Sequence, residues 1–409
     1  MSFFKLLFFK CSSLLVLSAL ILGAAGCNKT NTTAVPATPE APTVRFASFN
    51  ISFNRKEEGK LKQELAEAKT AEPKQIAEII QRVRPDVVLL NEFDFDEAGE
   101  GIASFLKNHL GVAQNQEKPI QYDYVYFQPV NTGVDSGLDL NGDGEKSTPT
   151  DAFGYGVFPG QYGMVILSKY EIDKENVRTF RNFLWKDMPD SLWPIDPATK
   201  KPYYNDEIKS KFRLSSKSHW DVPIKIGDQT IHFLVSHPTP PVFDGEEDRN
   251  GCRNHDEIRF FTDYVVPEKS KYIYDDNGTK GGLAAGSSFI IAGDLNADEF
   301  DGSSTNNAAK QLTEHPLINH EKPPKSEGGV FYSDQQRGQN LHHKGDPAFD
   351  TGDFNDRSVG NMHIDYCLPS KDLTLHDSGV FWPKPDQPGG DLVTASDHRL
   401  VWIDIEKKQ

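Results

Sequence analysis

After residue 43 the chain is built from short apolar runs separated by polar and turn-forming residues. The runs at 44–51, 87–90, 122–127, 164–167, 231–235, 289–292 and 364–368 each have the length of one buried strand. Near the carboxyl end Val401, Ile403 and Ile405 alternate with Trp402 and Asp404, the period of a strand with one face on the core. A helical period appears at 73–83, where Ile76, Ile79, Ile80 and Val83 share a face behind Pro73, a residue suited to a first helical turn. A second appears around 256–264. Polar loops are expected at about 131–160, 181–216, 238–256 and 320–362. No internal repeat or low-complexity break divides residues 44–409, which favours one large mixed domain.

The amino terminus has a different pattern. Lys5 and Lys10 precede an apolar run from Leu14 to Leu22, and small residues follow, so residues 1–26 are expected to be a secretory signal outside the fold. Ala24-Ala25-Gly26-Cys27 resembles a bacterial lipobox. That implies cleavage before Cys27, lipidation of its thiol, and an exported protein held at a membrane of the bacterial envelope by its lipid. Residues 27–43, rich in Asn, Thr, Pro and Ala without aromatics, read as a flexible tether.

Charge and cysteine content narrow the partners. With 44 Lys+Arg against 60 Asp+Glu the formal net charge is −16, which argues against a basic groove gripping nucleic acid independently of sequence. Cys11 leaves with the signal and Cys27 is the lipidation candidate, so Cys252 and Cys367 remain, too few for a zinc site and expected as unbridged thiols.

Polar residues collect at the ends of the expected strands: Asn50, Glu92, His237, Asp294 with Asn296, and Asp397 with His398. In "IIAGDLNADEF" the acid and the amide stand two residues apart, so both can face one phosphate from an extended backbone; a turn leaving a strand accounts for the fragment equally well. Together these residues suit hydrolysis of a phosphoester, which needs charge neutralised on the non-bridging oxygens, an aligned water, and help for the leaving group. Two histidines near their solution pKa can move protons or stay positive beside the phosphorus, and the sequence does not divide the roles between them.

The ordered set "ASFNIS", "LLNEFD", "GQYGMVILSKY", "SHPTPP", "GDLNADE", "HIDYCLPS" and "SDHRLVW", spanning about residues 44–405, resembles the endonuclease/exonuclease/phosphatase superfamily, the DNase I-like fold, in a secreted bacterial branch. The resemblance implies a four-layered α/β/β/α sandwich, two packed mixed sheets flanked by helices, with the site at one rim. It implies Glu92, Asn50 and Asp397 as metal ligands, and Asp294 as the residue that orients or deprotonates the attacking water. Asn296 is implied on a phosphate oxygen, with His237 and His398 flanking the phosphorus and Asp365 holding the His398 tautomer. Hard oxygen donors favour Mg²⁺ or Mn²⁺ over zinc. Ser52 and Asn54 stand where many nucleases of this kind carry a further acid. Lys217, His219 and Tyr162 are candidate phosphate contacts.

The implied activity is hydrolysis of a phosphodiester or phosphomonoester outside the cytoplasm by a monomer, on nucleic acid, phospholipid or a small diester. The alternative is a binder of phosphorylated ligands on the same scaffold. Two further signals stand apart. Asp139, Asn141 and Asp143 before Gly144 match the first half of a calcium loop, with Thr150 where a bidentate Glu belongs, so a structural Ca²⁺ or a plain turn is expected. Phe183, Trp185 and Trp193 would serve a membrane-inserting hairpin or, the favoured reading, cap the core.

Overall fold

A computed structural model describes residues 42–407; the expected signal peptide, Cys27 and most of the tether lie outside the described residues. In chain order the strands are β1 (Thr43–Asn50), β2 (Val87–Asn91), β3 (Tyr124–Phe127), β4 (Met164–Ser168), β5 (Glu171–Ile172), β6 (Arg178–Thr179), β7 (His219–Ile226), β8 (Gln229–Ser236), β9 (Ser288–Asp294), β10 (Gly352–Asp353), β11 (Asn361–Met362), β12 (Asp365–Pro369), β13 (Leu375–Val380) and β14 (Val401–Glu406). The α-helices are α1 (Lys60–Glu67), α2 (Glu72–Val83), α3 (Glu100–Phe105), α4 (Asp206–Lys211), α5 (Arg249–Tyr264), α6 (Lys310–Thr313) and α7 (Glu327–Gln336). One main sheet runs β13-β14-β1-β2-β4-β3 and the other β12-β9-β8-β7-β5, with β6 also paired to β7, and β10 and β11 pair as a separate two-stranded sheet.

Three hydrophobic layers hold these elements as the expected four-layered sandwich. Between the sheets, Phe46, Val87 and Ile166 of the first meet Val222, Phe233 and Ile290 of the second. Ala47, Phe49 and Leu90 on the opposite face of the first sheet pack against Leu65, Ile76, Ile80 and Phe105 of α1–α3. Leu234 and Ile291 of the second sheet pack against Ile258, Phe261 and Leu312 of α5 and α6. Strands buried on both faces read as continuous apolar runs rather than alternations, which is why their positions were legible.

Several elements lack a legible apolar pattern, for different reasons. Strand β7 carries His219, Asp221 and Pro223, and Asp221 accepts from Tyr264 Oη at 2.7 Å. Helix α1 buries only Leu61 and Leu65. Helix α5 starts at Arg249, before the apolar period around residue 256, and α7 lies inside a stretch expected to be loop. Cys252 and Cys367 are both free and buried, as expected. Trp185 is fully buried and Phe183 1% exposed, with Trp185 Nε1 donating to Asp256 Oδ2 at 2.6 Å, so this aromatic group caps the core. Among the described residues no helix is long and apolar enough to cross a membrane.

Candidate active site

Strand direction gathers the polar residues. Strands β1 and β2 are parallel and end at Asn50 and Asn91, β8 and β9 are parallel and end at Ser236 and Asp294, and antiparallel β12 begins with Asp365 opposite Asp294. The segment before β14 adds Asp397 and His398, with His398 bridged to Gly352. Gly293 makes the approach of β8 and β9 possible: its φ is +149°, and a Cβ there would lie 1.9 Å from Ser236 O.

Asp294 is the hub. Asn50 Nδ2 donates to its Oδ2 at 3.0 Å, His237 Nε2 lies 3.4 Å and His398 Nε2 3.7 Å from the same oxygen, and Asn296 N donates to Oδ1 at 2.9 Å. His398 Nδ1 meets Asp365 Oδ2 at 2.8 Å, and Phe354 packs edge-on against the imidazole. Asn50, His237, Asp294, Asp365 and His398 are all buried, whereas Glu92 and Asn296 are partly exposed and can meet a ligand from solvent. Asp397 is exposed and accepts from Ser52 Oγ at 2.9 Å. Among the described residues, two acid and histidine groups are close enough to share one cation, Glu92 with His237 and Asp294, and Asp294 with Asp365 and His398. Asp397 belongs to neither, so the structure brings Glu92 to Asp294 and leaves Asp397 at the edge.

The electrostatics separate the two histidines. Burial alone would lower the proton affinity of His398, but the charges of Asp365 and Asp294, the bond to Asp365 and the nearby Asp397 outweigh it and raise its pKa to about 10. Burial, then the neighbouring Lys217 and His398, hold His237 well below the usual histidine range. Its Nδ1 is buried and has no partner. Burial raises Asp294 and Glu92, opposed in both by the charge of His398.

Backbone conformation is unusual around this centre. Glu92 (φ 64°), Ser52 (φ 52°), Tyr162 (φ 58°) and Asn296 (φ 52°) all adopt the left-handed region, which costs a non-glycine residue about 1 kcal/mol and persists where surrounding contacts enforce it. Asp94 is one such brace, accepting from Arg55 N at 2.8 Å and from Tyr162 N at 3.1 Å.

Several supporting residues carried no signal in the sequence. Asn54 Nδ2 donates to Glu92 Oε2 at 2.7 Å and so aims the carboxylate. Asn91 Oδ1 accepts from Asp294 N at 3.4 Å. Ser396 Oγ donates to Asn50 O and accepts from His398 N. Buried Glu257 of α5 accepts from Ser216 N and Thr239 N, tying the loops on either side of the β7–β8 hairpin.

Of the candidate phosphate contacts, Lys217 is buried beside the site with Nζ 3.4 Å from Pro238 O, and Tyr162 is at its edge. His219 is not in the site. Its Nδ1 meets Ser215 Oγ and its Nε2 meets Glu257 O, and Phe260 and Phe261 enclose it, so it is a core histidine with its pKa lowered to about 4 by burial. In the loop at Asp139, that residue accepts from Gly142 N and Gly144 N, Asp143 accepts from Glu145 N, and Asn141 donates to Asp143; the carboxylates cap their own turn.

The sequence profile of the endonuclease/exonuclease/phosphatase family matches residues 47–398, and the chain belongs to that family. It is therefore of the class of metal-dependent phosphoric ester hydrolases. Similar solved structures include an endonuclease/exonuclease/phosphatase from Beutenbergia cavernae (17% identity, 89% of this chain and 72% of that one, TM-score 0.47). The beta toxin of Staphylococcus aureus with bound magnesium ions is another (15% identity, 90% and 100%, TM-score 0.46), as is sphingomyelinase C from Streptomyces griseocarneus (14% identity, 89% and 99%, TM-score 0.44). No curated protein matches the chain.

Proposed function

We propose that this protein is a divalent-metal-dependent phosphodiesterase, exported and held at the bacterial cell envelope by a lipid on Cys27. The observation that carries the reading is a single carboxylate, Asp294, set between a neutral His237 and a protonated His398 that Asp365 holds in place.

The donor set suits a hard cation. Glu92 is a partly buried carboxylate aimed by Asn54, with its charged form disfavoured by burial, and Asn50 stands beside it. Glu92 and Asn50 would hold Mg²⁺ or Mn²⁺, with Asp397 at the edge of the site. When bound, the ion supplies charge neutralisation at the phosphate oxygens. The remaining work falls to the chain. Asp294 accepts a proton from the attacking water and orients it opposite the leaving group. Asn296, whose Nδ2 donates one hydrogen to Pro238 O at 3.2 Å, offers its second to a non-bridging oxygen. His398, positive through Asp365, stabilises the charge that builds on the phosphorane, and neutral His237 donates from Nε2 on the other flank. The acidic surface weighs against tight binding of a nucleic-acid duplex and favours a small or lipid diester.

Phosphorus NMR of the full chain with Mg²⁺ and, in turn, bis-p-nitrophenyl phosphate, p-nitrophenyl phosphate, single- and double-stranded DNA and sphingomyelin tests the reading. Conversion of a diester faster than the monoester is expected. A phosphorylated compound that binds and is never converted would leave a binding protein instead. Export is tested separately by labelling cells with a fatty-acid analogue, where Cys27→Ser is expected to abolish incorporation and unchanged labelling would remove the anchor.

A further inference from the structure

Strand β12 is an edge strand, and along it runs a cavity of about 290 Å³ bounded by Asp298, Phe300, Asp346, Phe349, Asp350 and Tyr366. Its acids outnumber its bases: Asp298, Glu299, Asp346, Asp350 and Asp365 line it against one lysine, Lys322, whose Nζ donates to His376 O. Asp298 is nearly fully buried, and its oxygens accept only backbone N–H groups, from Phe300, Asp301 and His363. Asp346 accepts from Ala348 N. Asp350, 7% exposed, accepts no hydrogen bond, and among the described residues no basic side chain pairs with Asp298, Asp346 or Asp350. Burial and the nearby Asp298, Asp301 and Asp346 raise the pKa of Asp350 to about 8. A nearly buried carboxyl with no protein donor is left to water or to a ligand that enters the cavity. Asp365 also lines this cavity, and its Oδ1 is buried without a partner while Oδ2 holds His398.

Two features decide what that partner is. The acids here do not converge on a point as metal ligands do; among the described residues the two groups that could hold a metal both lie at Asp294. The walls are aromatic as well as acidic, with His363 between Phe349 and Tyr366 at ring distances of 6.2 and 4.3 Å. Unpaired acceptors need N–H or O–H donors, the excess of acids over one lysine favours a cationic donor, and a cavity this size holds an organic body as well as a charge.

We propose that this cavity binds an organic molecule carrying a primary ammonium group, which donates to Asp350 while its carbon body lies against Phe300, Phe349 and Tyr366. The site is distinct from the phosphate centre and touches it only through Asp365. It does not rest on the hydrolytic reading, because its test reads binding.

The probe is n-butylammonium, followed by saturation-transfer NMR on the full chain, with tetramethylammonium, 1-butanol and CaCl₂ as comparators. Saturable binding of n-butylammonium is expected, weakened at least tenfold in Asp350→Asn, with tetramethylammonium and 1-butanol at least tenfold weaker. If Asp350→Asn fails to fold, Asp346→Asn on the exposed rim takes its place, with at least a threefold loss. Absence of saturable binding would mean a cavity holding only water and would overturn the proposal. So would equal binding of 1-butanol or tetramethylammonium, insensitivity to the aspartate variants, or displacement of the probe by equimolar Ca²⁺.

Discussion

Replacing Asp365 by Asn tests the electrostatic division between the histidines. Asp365 is fully buried, and its Oδ2 lies 2.8 Å from His398 Nδ1; Asn has nearly the same volume, so the change removes charge without opening a cavity. A hydrogen bond to a charged group is worth about 1.5–3 kcal/mol, which corresponds to a fall in kcat of about 10- to 150-fold if the bond holds the protonated imidazole for the transition state. KM is expected to change little, since Asp365 does not face solvent. The sign of the pH effect follows from the raised pKa. The charge on His398 stabilises the fold fully below about pH 6.5 and is lost as pH rises through about 10. Without Asp365 the imidazole loses its proton at lower pH, so the alkaline limb of kcat moves down toward neutrality. Measuring kcat and KM on bis-p-nitrophenyl phosphate across pH 5–10 checks this. A variant within threefold of the parent kcat, with an unmoved alkaline limb, would refute the assignment of Asp365 as a positioning residue.

Other consequences concern the metal and the core. Asn54→Ala removes the 2.7 Å donor to Glu92 and is expected to weaken metal affinity about tenfold, measured as the Mg²⁺ or Mn²⁺ concentration giving half-maximal activity; an unchanged value would detach Asn54 from the metal corner. Trp185→Ala is expected to destabilise the protein by about 3–5 kcal/mol in chemical denaturation, whereas loss of vesicle binding at unchanged stability would return the aromatic group to a membrane role. His219, with its pKa near 4 folded and 6.5 unfolded, binds a proton only in the unfolded chain between those values, so stability rises with pH there by about 3 kcal/mol in total. His219→Gln should flatten that slope in denaturation series from pH 4 to 7, and an unaltered slope would mean that the imidazole is not held neutral.

Two kinds of signal made much of this molecule readable in advance. Strands β1, β2, β8 and β9 are buried on both faces, so their apolar runs mark them plainly, and polar residues at their ends mark the rim where the site forms. Strand β7 was not readable, because His219 and Asp221 look like surface residues until their partners on α5 are known. The same limitation misled the reading of His219 as a phosphate contact. The support of Glu92 by Asn54 and of Asp294 by Asn91 joins residues 38 and 203 positions apart, and no local pattern encodes such a meeting. The fall of the proton affinity of His237 and its rise in His398 likewise depend on burial and on charges that only the folded chain brings together.

Whether Asp294 and a divalent metal carry the hydrolysis is decided by kcat/KM on bis-p-nitrophenyl phosphate for the full chain and for Asp294→Ala, each with Mg²⁺, with Mn²⁺ and with excess EDTA. Turnover is expected in the parent with either metal and none in EDTA, with a loss of at least a thousandfold in Asp294→Ala, on the order of a removed acid–base group. Turnover that persists in EDTA, or an Asp294→Ala variant within tenfold of the parent, would contradict it.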